Sequence, residues 1–287
     1  IRDKLVTGVQ TCALPIYVDI VVDNFTKKAS SSKIFQAEYI FRSLKSIAYI
    51  EDKYTVNISE FFYNQGKTVS DNLEKNIDLI SSNFRTSKKE LPDVTDSNGG
   101  IVGAIFNLNE EDTKLQKVMQ AFYVSGVHRA INDINTITNS RVNLNTSNPY
   151  VSQALNRLGS RIVGGYTYNG KKIYINETTR QGVERIVVDG INNNLSLNEI
   201  QDKLQTQFSE WAGYRARMIA RTESRMAWDY GAQVAYVEIG VKTVDIVGCT
   251  EFEQNSDCGK MNVPVMLIHT LSFHPNHIGT PAPSEEI

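Results

Sequence analysis

The stretch Tyr214–Glu238, YRARMIARTESRMAWDYGAQVAYVE, decides how the chain is read. At 100° per residue, Ala216, Ile219, Ala220, Met226, Ala227, Tyr230, Val234 and Val237 share one face, the pattern of a helix packed against a core, and Gly240 marks its end. Arg217, Arg221 and Arg225 recur every fourth residue on the opposite side. That stripe is expected to be solvated, or to meet a protein partner or nucleic-acid phosphates. Glu223 falls in the middle of the apolar face. An unpaired buried carboxylate is costly, so Glu223 is expected to have a partner: an arginine, a histidine, backbone N–H groups or a metal shell. A structural ion pair or hydrogen-bond anchor tying this helix to the C-terminal loops is the first reading, and catalytic use the second.

Working outward, Ser196 with Glu199 three residues on, ahead of Ile200, Leu204 and Phe208, forms a capping-box pattern that starts the preceding helix. Thr178 or Thr179 is expected to cap an earlier helix that runs to about Asn192. Arg161 to Tyr168, then Asn169 and Gly170, then Lys171 to Ile175 read as a hairpin, because Asn-Gly supplies the positive φ angles of a two-residue turn. On the other side, Val241 to Val247 is rich in β-branched residues and predicts a strand leading into Cys249. The remainder is loop-rich. In the first half, apolar residues recur at helical spacing from Ser32 to about Tyr63, which predicts one long helix or two in series, and again from Thr68 to Phe84 after Gly66. A polar stretch from Arg85 to Gly100 is a loop. Leu115, Val118, Met119, Phe122 and Val127 mark another helix, and Thr136 to Pro149 connects two parts, with a soft boundary near Pro149. The expected fold class is mainly α with small β elements (α+β). It has a helical N-terminal region over 17–149, then helices, a short hairpin and a loop-rich Cys/His tail over 150–287.

With 287 residues, 41% hydrophobic and 22% charged, the chain suits a globular protein with a real core and excludes collagen-like, low-complexity and disulfide-dense classes. Its 30 basic and 32 acidic residues give a net charge of −2, so no overall positive field draws it to DNA or an anionic membrane. No apolar run reaches the ~20 residues of a membrane span, and no secretory signal opens the chain. The default compartment is the cytoplasm. The first sixteen residues, IRDKLVTGVQTCALPI, look like the translation of a short-read sequencing adapter, so the fold is expected to begin after Ile16 and Cys12 leaves the cysteine count.

Cys249, Cys258, His274 and His277 then give the spacing C-x8-C-x15-H-x2-H near the C-terminus. Two thiolates and two imidazoles can complete a tetrahedral zinc shell, and a metal would staple a tail that buries little apolar surface. A disulfide and ordinary unliganded side chains compete with that reading. His269 is a bystander.

The string RARMIARTES (Arg215 to Ser224), the helix to Gly240, the CTEF and DC segments around Cys249 and Cys258, and FHPNHIGT (Phe273 to Thr280) together resemble the phage Mu F-like family of minor head, or head morphogenesis, proteins. The likeness covers about the second half. Arg215, Ala216, Ile219, Ala220, Arg221, Thr222 and Glu223 match the family's R-A-x-x-I-A-R-T-E pattern. His274, Pro275 and Asn276 match its terminal H-P-N, while His277 stands where a cysteine is common; histidine also ligates zinc. The resemblance implies a non-catalytic virion component of a phage or prophage, associated with the portal and the capsid interior and made in the bacterial host cytoplasm. It implies a role in head assembly and in DNA packaging or ejection, with the portal protein, other head proteins and packaged DNA as partners, and no membrane. Two other functions stand beside it. An HNH-like metal-dependent nuclease is suggested by His274, Asn276 and His277 near a cysteine pair, but only ten residues follow His277 to return further ligands. A carrier module of a phage-encoded toxin is the second. The sequence holds no H-E-x-x-H pattern and no glycine-rich nucleotide loop.

Overall fold

The computed structural model describes residues 31–86, 101–143, 155, 166–168, 171–247, 260, 262–270 and 280–284. Helices dominate: α1 (Ser31–Thr86), α2 (Ile101–Ile105), α3 (Leu108–Thr138), α4 (Ile175–Asn192), α5 (Leu197–Glu210) and α6 (Ala216–Glu238). Strands β1 (Tyr166–Tyr168) and β2 (Lys171–Ile173) pair antiparallel, and β3 (Thr243–Val247), β4 (Val263–Pro264) and β5 (Thr280–Pro283) form a second antiparallel sheet in the order β4-β3-β5. The expected class, mainly α with small β elements, is what the chain adopts. No helix among the described residues is long and apolar enough to cross a membrane. The chain divides into two compact units, the first made of 1–52, 123–154 and 221–287, the second of 53–122 and 155–220. Pro149 lies outside the described residues.

In the second unit, Val69, Leu73, Val102, Ile105, Phe106, Val183, Val187, Ile200, Leu204 and Phe208 form one buried apolar cluster. The single helix α1 runs through Gly66, so of one long helix or two in series the first is what forms, and the pattern resuming at Thr68 belongs to it. A Cβ on Gly66 would lie 2.7 Å from the Phe208 ring, so the glycine is there for close approach and not to end the helix. Helix α4 starts three residues before the expected caps. Tyr174 is its N-cap without a side-chain bond, and Thr178 and Thr179 lie inside the first turns, their hydroxyls donating back to the Tyr174 and Ile175 carbonyls. The capping box of α5 forms as read, with Glu199 N–H donating to Ser196 Oγ at 3.3 Å and Ser196 N–H donating to Glu199 Oε2 at 2.7 Å. The β1–β2 register joins Tyr168 to Lys171, which is where a two-residue Asn-Gly connection belongs.

Between α5 and α6 the backbone widens into a π-helical segment, Trp211–Arg215. The sequence reads two separate helices here; one extra residue in the turn lets them run on without a break. Ser59 Oγ donates to the Ala212 carbonyl of that segment. Trp211 packs edge-on against Phe208, ring centroids 4.9 Å apart.

In the first unit, Tyr39, Ile40 and Leu44 of α1, Tyr123, Val127 and Ile131 of α3, and Ala227, Trp228, Ala235 and Tyr236 of α6 are buried. Helices α3 and α6 cross closely: a Cβ on Gly231 would sit 2.5 Å from the Val127 carbonyl oxygen, so only glycine fits. Strand β3 is the middle strand and holds Val244 and Ile246 inside. Strand β5 carries Pro281 and Pro283, which an edge strand tolerates because its outer side needs no ladder donors. The region read as loop-rich therefore contributes two strands and a 3-10 helix, Val265–Thr270. The pattern of β4 and β5 is too short and too interrupted by proline to register as strand.

Candidate functional site

The polar residues of RARMIARTES are the part of the expected site that the described residues contain. In the second unit, Arg215 reaches the start of α4, where Nη1 donates to Thr179 Oγ1 at 2.8 Å and Nη2 to the Ile175 carbonyl at 2.7 Å. Its guanidinium also lies 5.4 Å from the Phe62 ring centre and 5.8 Å from that of Trp211. A planar fork that bonds with two nitrogens and stacks on aromatics is an arginine's work, and a lysine cannot reproduce it.

In the first unit, Glu223 is buried and accepts a 2.7 Å hydrogen bond from the Tyr123 hydroxyl of α3. The expectation that this carboxylate has a partner holds, and the Tyr123 hydroxyl is one. Arg221 Nε bonds Glu51 Oε1 of α1 at 3.1 Å. Thr222 is half-buried.

The arginine stripe is not a solvated face. Only Arg217 is exposed; Arg221 is partly covered by its pair with Glu51, and Arg225 is 5% exposed, paired with Asp229 at 2.9 Å. Helical periodicity orders residues around one axis but carries no information about neighbours that bury the second side. Here they bury it, and Ser224, Trp228, Asp229, Ala232 and Gln233 go inside as well. Correspondingly Met226 and Val237, placed on the core face by the pattern, are half-buried.

Several residues of this polar lattice escape a sequence reading. Trp228 Nε1 donates to Asp133 Oδ2 at 3.1 Å, and Arg129 Nε donates to Ser46 Oγ at 2.9 Å. Burial pushes the Asp133 carboxyl upward, against hydrogen bonds from Ser46 and Trp228 that favour its charge. Burial likewise pushes Asp229 up to about 6, opposed by the Arg225 charge and hydrogen bond. Asp245 in β3 uses one oxygen for two bonds, accepting from Asn262 N–H at 2.8 Å and from Ser284 Oγ at 2.7 Å, so a single buried carboxylate holds both flanking segments to the central strand. In the second unit, Gln65 Nε2 donates to Glu111 Oε2 at 2.9 Å and to Asn176 Oδ1 at 3.1 Å, and Asn176 Nδ2 donates to Asp112 Oδ1 at 2.8 Å. The i, i+4 spacing of Arg225 and Asp229 is a readable signal for their pair, and the lone carboxylate in TVDIV is one for Asp245. Nothing in the local sequence announces Gln65 with Asn176, which are far apart in the chain.

Cys249, Cys258, His274 and His277, with Pro275 and Asn276, lie outside the described residues. Among the described residues no group of three or more His, Cys, Asp or Glu is placed to hold a metal ion. Compared with known protein families, curated proteins and solved structures, the chain has no match.

Proposed function

We propose that the chain is a phage minor head, or head morphogenesis, protein of the Mu F-like type. It is a portal-associated structural component of the virion that acts in capsid assembly and in DNA packaging or ejection. The observation that carries this reading is the use made of the RARMIARTES string. Arg215, Arg221 and Glu223 each tie α6, or the π-helical segment leading into it, to a side chain or carbonyl of another helix, at distances of 2.7 to 3.1 Å. A motif spent on internal braces suits a protein whose task is to hold a shape against partners. The partners proposed are the portal protein and other head proteins, with contact to packaged DNA.

Zinc bound by Cys249, Cys258, His274 and His277 belongs to the same proposal. Two thiolates and two imidazoles fit the metal's preference. The described sheet supports it by tether length. Cys249 comes two residues after Val247, whose β5 partner is Thr280, and His277 comes three residues before Thr280. Cys258 comes two residues before Lys260, whose carbonyl accepts from Ile246 N–H at 2.8 Å. The described residues Val247, Lys260 and Thr280 lie at one end of the sheet, and each is only two or three residues along the chain from one of the proposed ligands. Bound there, the metal would supply folding energy to the tail.

The test is co-purification of the full chain with the portal protein of the same genomic neighbourhood, with elemental analysis. About one zinc per chain, lost in Cys258→Ala and His274→Ala, together with portal binding, is the expected result. Failure of portal binding overturns the head-protein reading, and metal content unchanged in both variants overturns the ligand set. Metal-dependent DNA cleavage by the same preparation would favour a nuclease instead.

A further inference from the structure

We propose that the buried Arg225–Asp229 pair makes the first unit pH-responsive, more stable in mildly acid solution than at neutral pH. The pair joins Arg225 Nε to Asp229 Oδ2 at 2.9 Å, with the two side chains 6% and 4% exposed. Asp229 Oδ1 is also buried and has no hydrogen-bond donor among the described residues. This carboxylate has left water at both oxygens and regained a bond at one. Compared with the unfolded chain, the neutral acid is therefore favoured.

The charged and titratable surroundings point the same way. On α6, Arg225 and Tyr236 lie four and seven residues from Asp229 and share its face. From α1, Tyr39 brings its ring to 6.0 Å from Tyr236, and from the sheet the Pro281 carbonyl accepts from the Tyr236 hydroxyl at 2.8 Å. From α3, Asp133 bonds Trp228, the residue before Asp229. Arg225 is the cation in this set; two phenols and a second carboxyl add no positive charge. Burial outweighs that cation and holds the Asp229 carboxyl at about 6, above the ordinary value of 3.8.

Since the folded value is the higher one, the stabilising contribution is complete below the ordinary value and is lost as pH rises through about 6. A separation of about two pH units corresponds to about a hundredfold in the ratio of folded to unfolded chain.

The experiment is urea unfolding of the full chain from about pH 4.5 to pH 8, beside Asp229→Asn, an isostere of the neutral acid that does not ionise. Histidines and cysteines titrate alike in both, so the difference isolates Asp229. The folded-to-unfolded ratio of the wild type, relative to the variant, is expected to fall by about thirtyfold across that range, the rest of the hundredfold lying below pH 4.5. Parallel profiles overturn the proposal. If Asp229→Asn does not fold, a carbon-13 NMR titration of the Asp229 carboxyl in the native chain decides it: a midpoint near 6 supports the proposal, and one at or below about 4 overturns it.

Discussion

In the second unit the cluster from Val69 to Phe208 is wholly apolar, whereas in the first unit the buried turns of α6 alone carry Glu223, Ser224, Arg225, Asp229 and Gln233. Apolar contact is non-directional and scales with area, so a core of the first kind is robust in energy and loose in specification. Buried polar groups behave oppositely. Each must find a partner at hydrogen-bonding distance, and a slip of one turn leaves charges orphaned. The second unit sets beside its apolar cluster a buried polar group, Gln65, Glu111 and Asn176, with Arg215 bonded to Thr179, so the contrast is one of degree: α6 concentrates matching in the first unit, and the Gly231 crossing adds a shape constraint there.

The chain's two tryptophans, Trp211 in the second unit and Trp228 in the first, allow each unit to be followed separately by fluorine NMR after 5-fluorotryptophan labelling. The largest effect is expected from Phe208→Ala. It removes a buried ring that fills the space over Gly66 and against Trp211, at a cost of about 4 kcal/mol, and the Trp211 signal should shift first. A loss under about 1 kcal/mol would mean that the apolar unit does not depend on that packing. Glu223→Ala comes next. Leaving the buried Tyr123 hydroxyl without this acceptor should cost about 2 kcal/mol and perturb Trp228. Unchanged urea unfolding would show that matching is not what holds the first unit. The smallest effect is expected from Arg215→Lys, about 1 kcal/mol, because charge survives while the two-pronged bond and the stacking are lost. A cost equal to that of Glu223→Ala would blur the contrast between the units.

Much of the fold is legible in the sequence because helices repeat. The runs through Ala37, Leu44 and Ile47, through Leu115, Met119 and Phe122, and through Ile200, Leu204 and Phe208 each announce a buried face, though Phe41, read into the first, is exposed, and Ser196 with Glu199 announces a start. What is not legible depends on residues remote in the chain. Thr179 reads as a cap because its hydroxyl suits one, yet it lies within α4 and serves Arg215. Arg225 reads as solvated because nothing local says that the far side of α6 is covered. The partner of Glu223 is an even harder case, since a residue a hundred positions away supplies it. The Cys/His set is carried in the sequence by its spacing alone.

Asp245 also sets an order of events as the chain is made. The contact to Asn262 spans 17 residues and the contact to Ser284 spans 39. The entropic difference between closing the two loops is only about 0.7 kcal/mol. Order along the chain separates them more clearly, because Asn262 precedes Ser284 and so is made first. Until Ser284 emerges, the outer side of β3 has no partner strand, and its Val244 and Ile246 rely on the helices already folded to shield them from a neighbouring nascent chain.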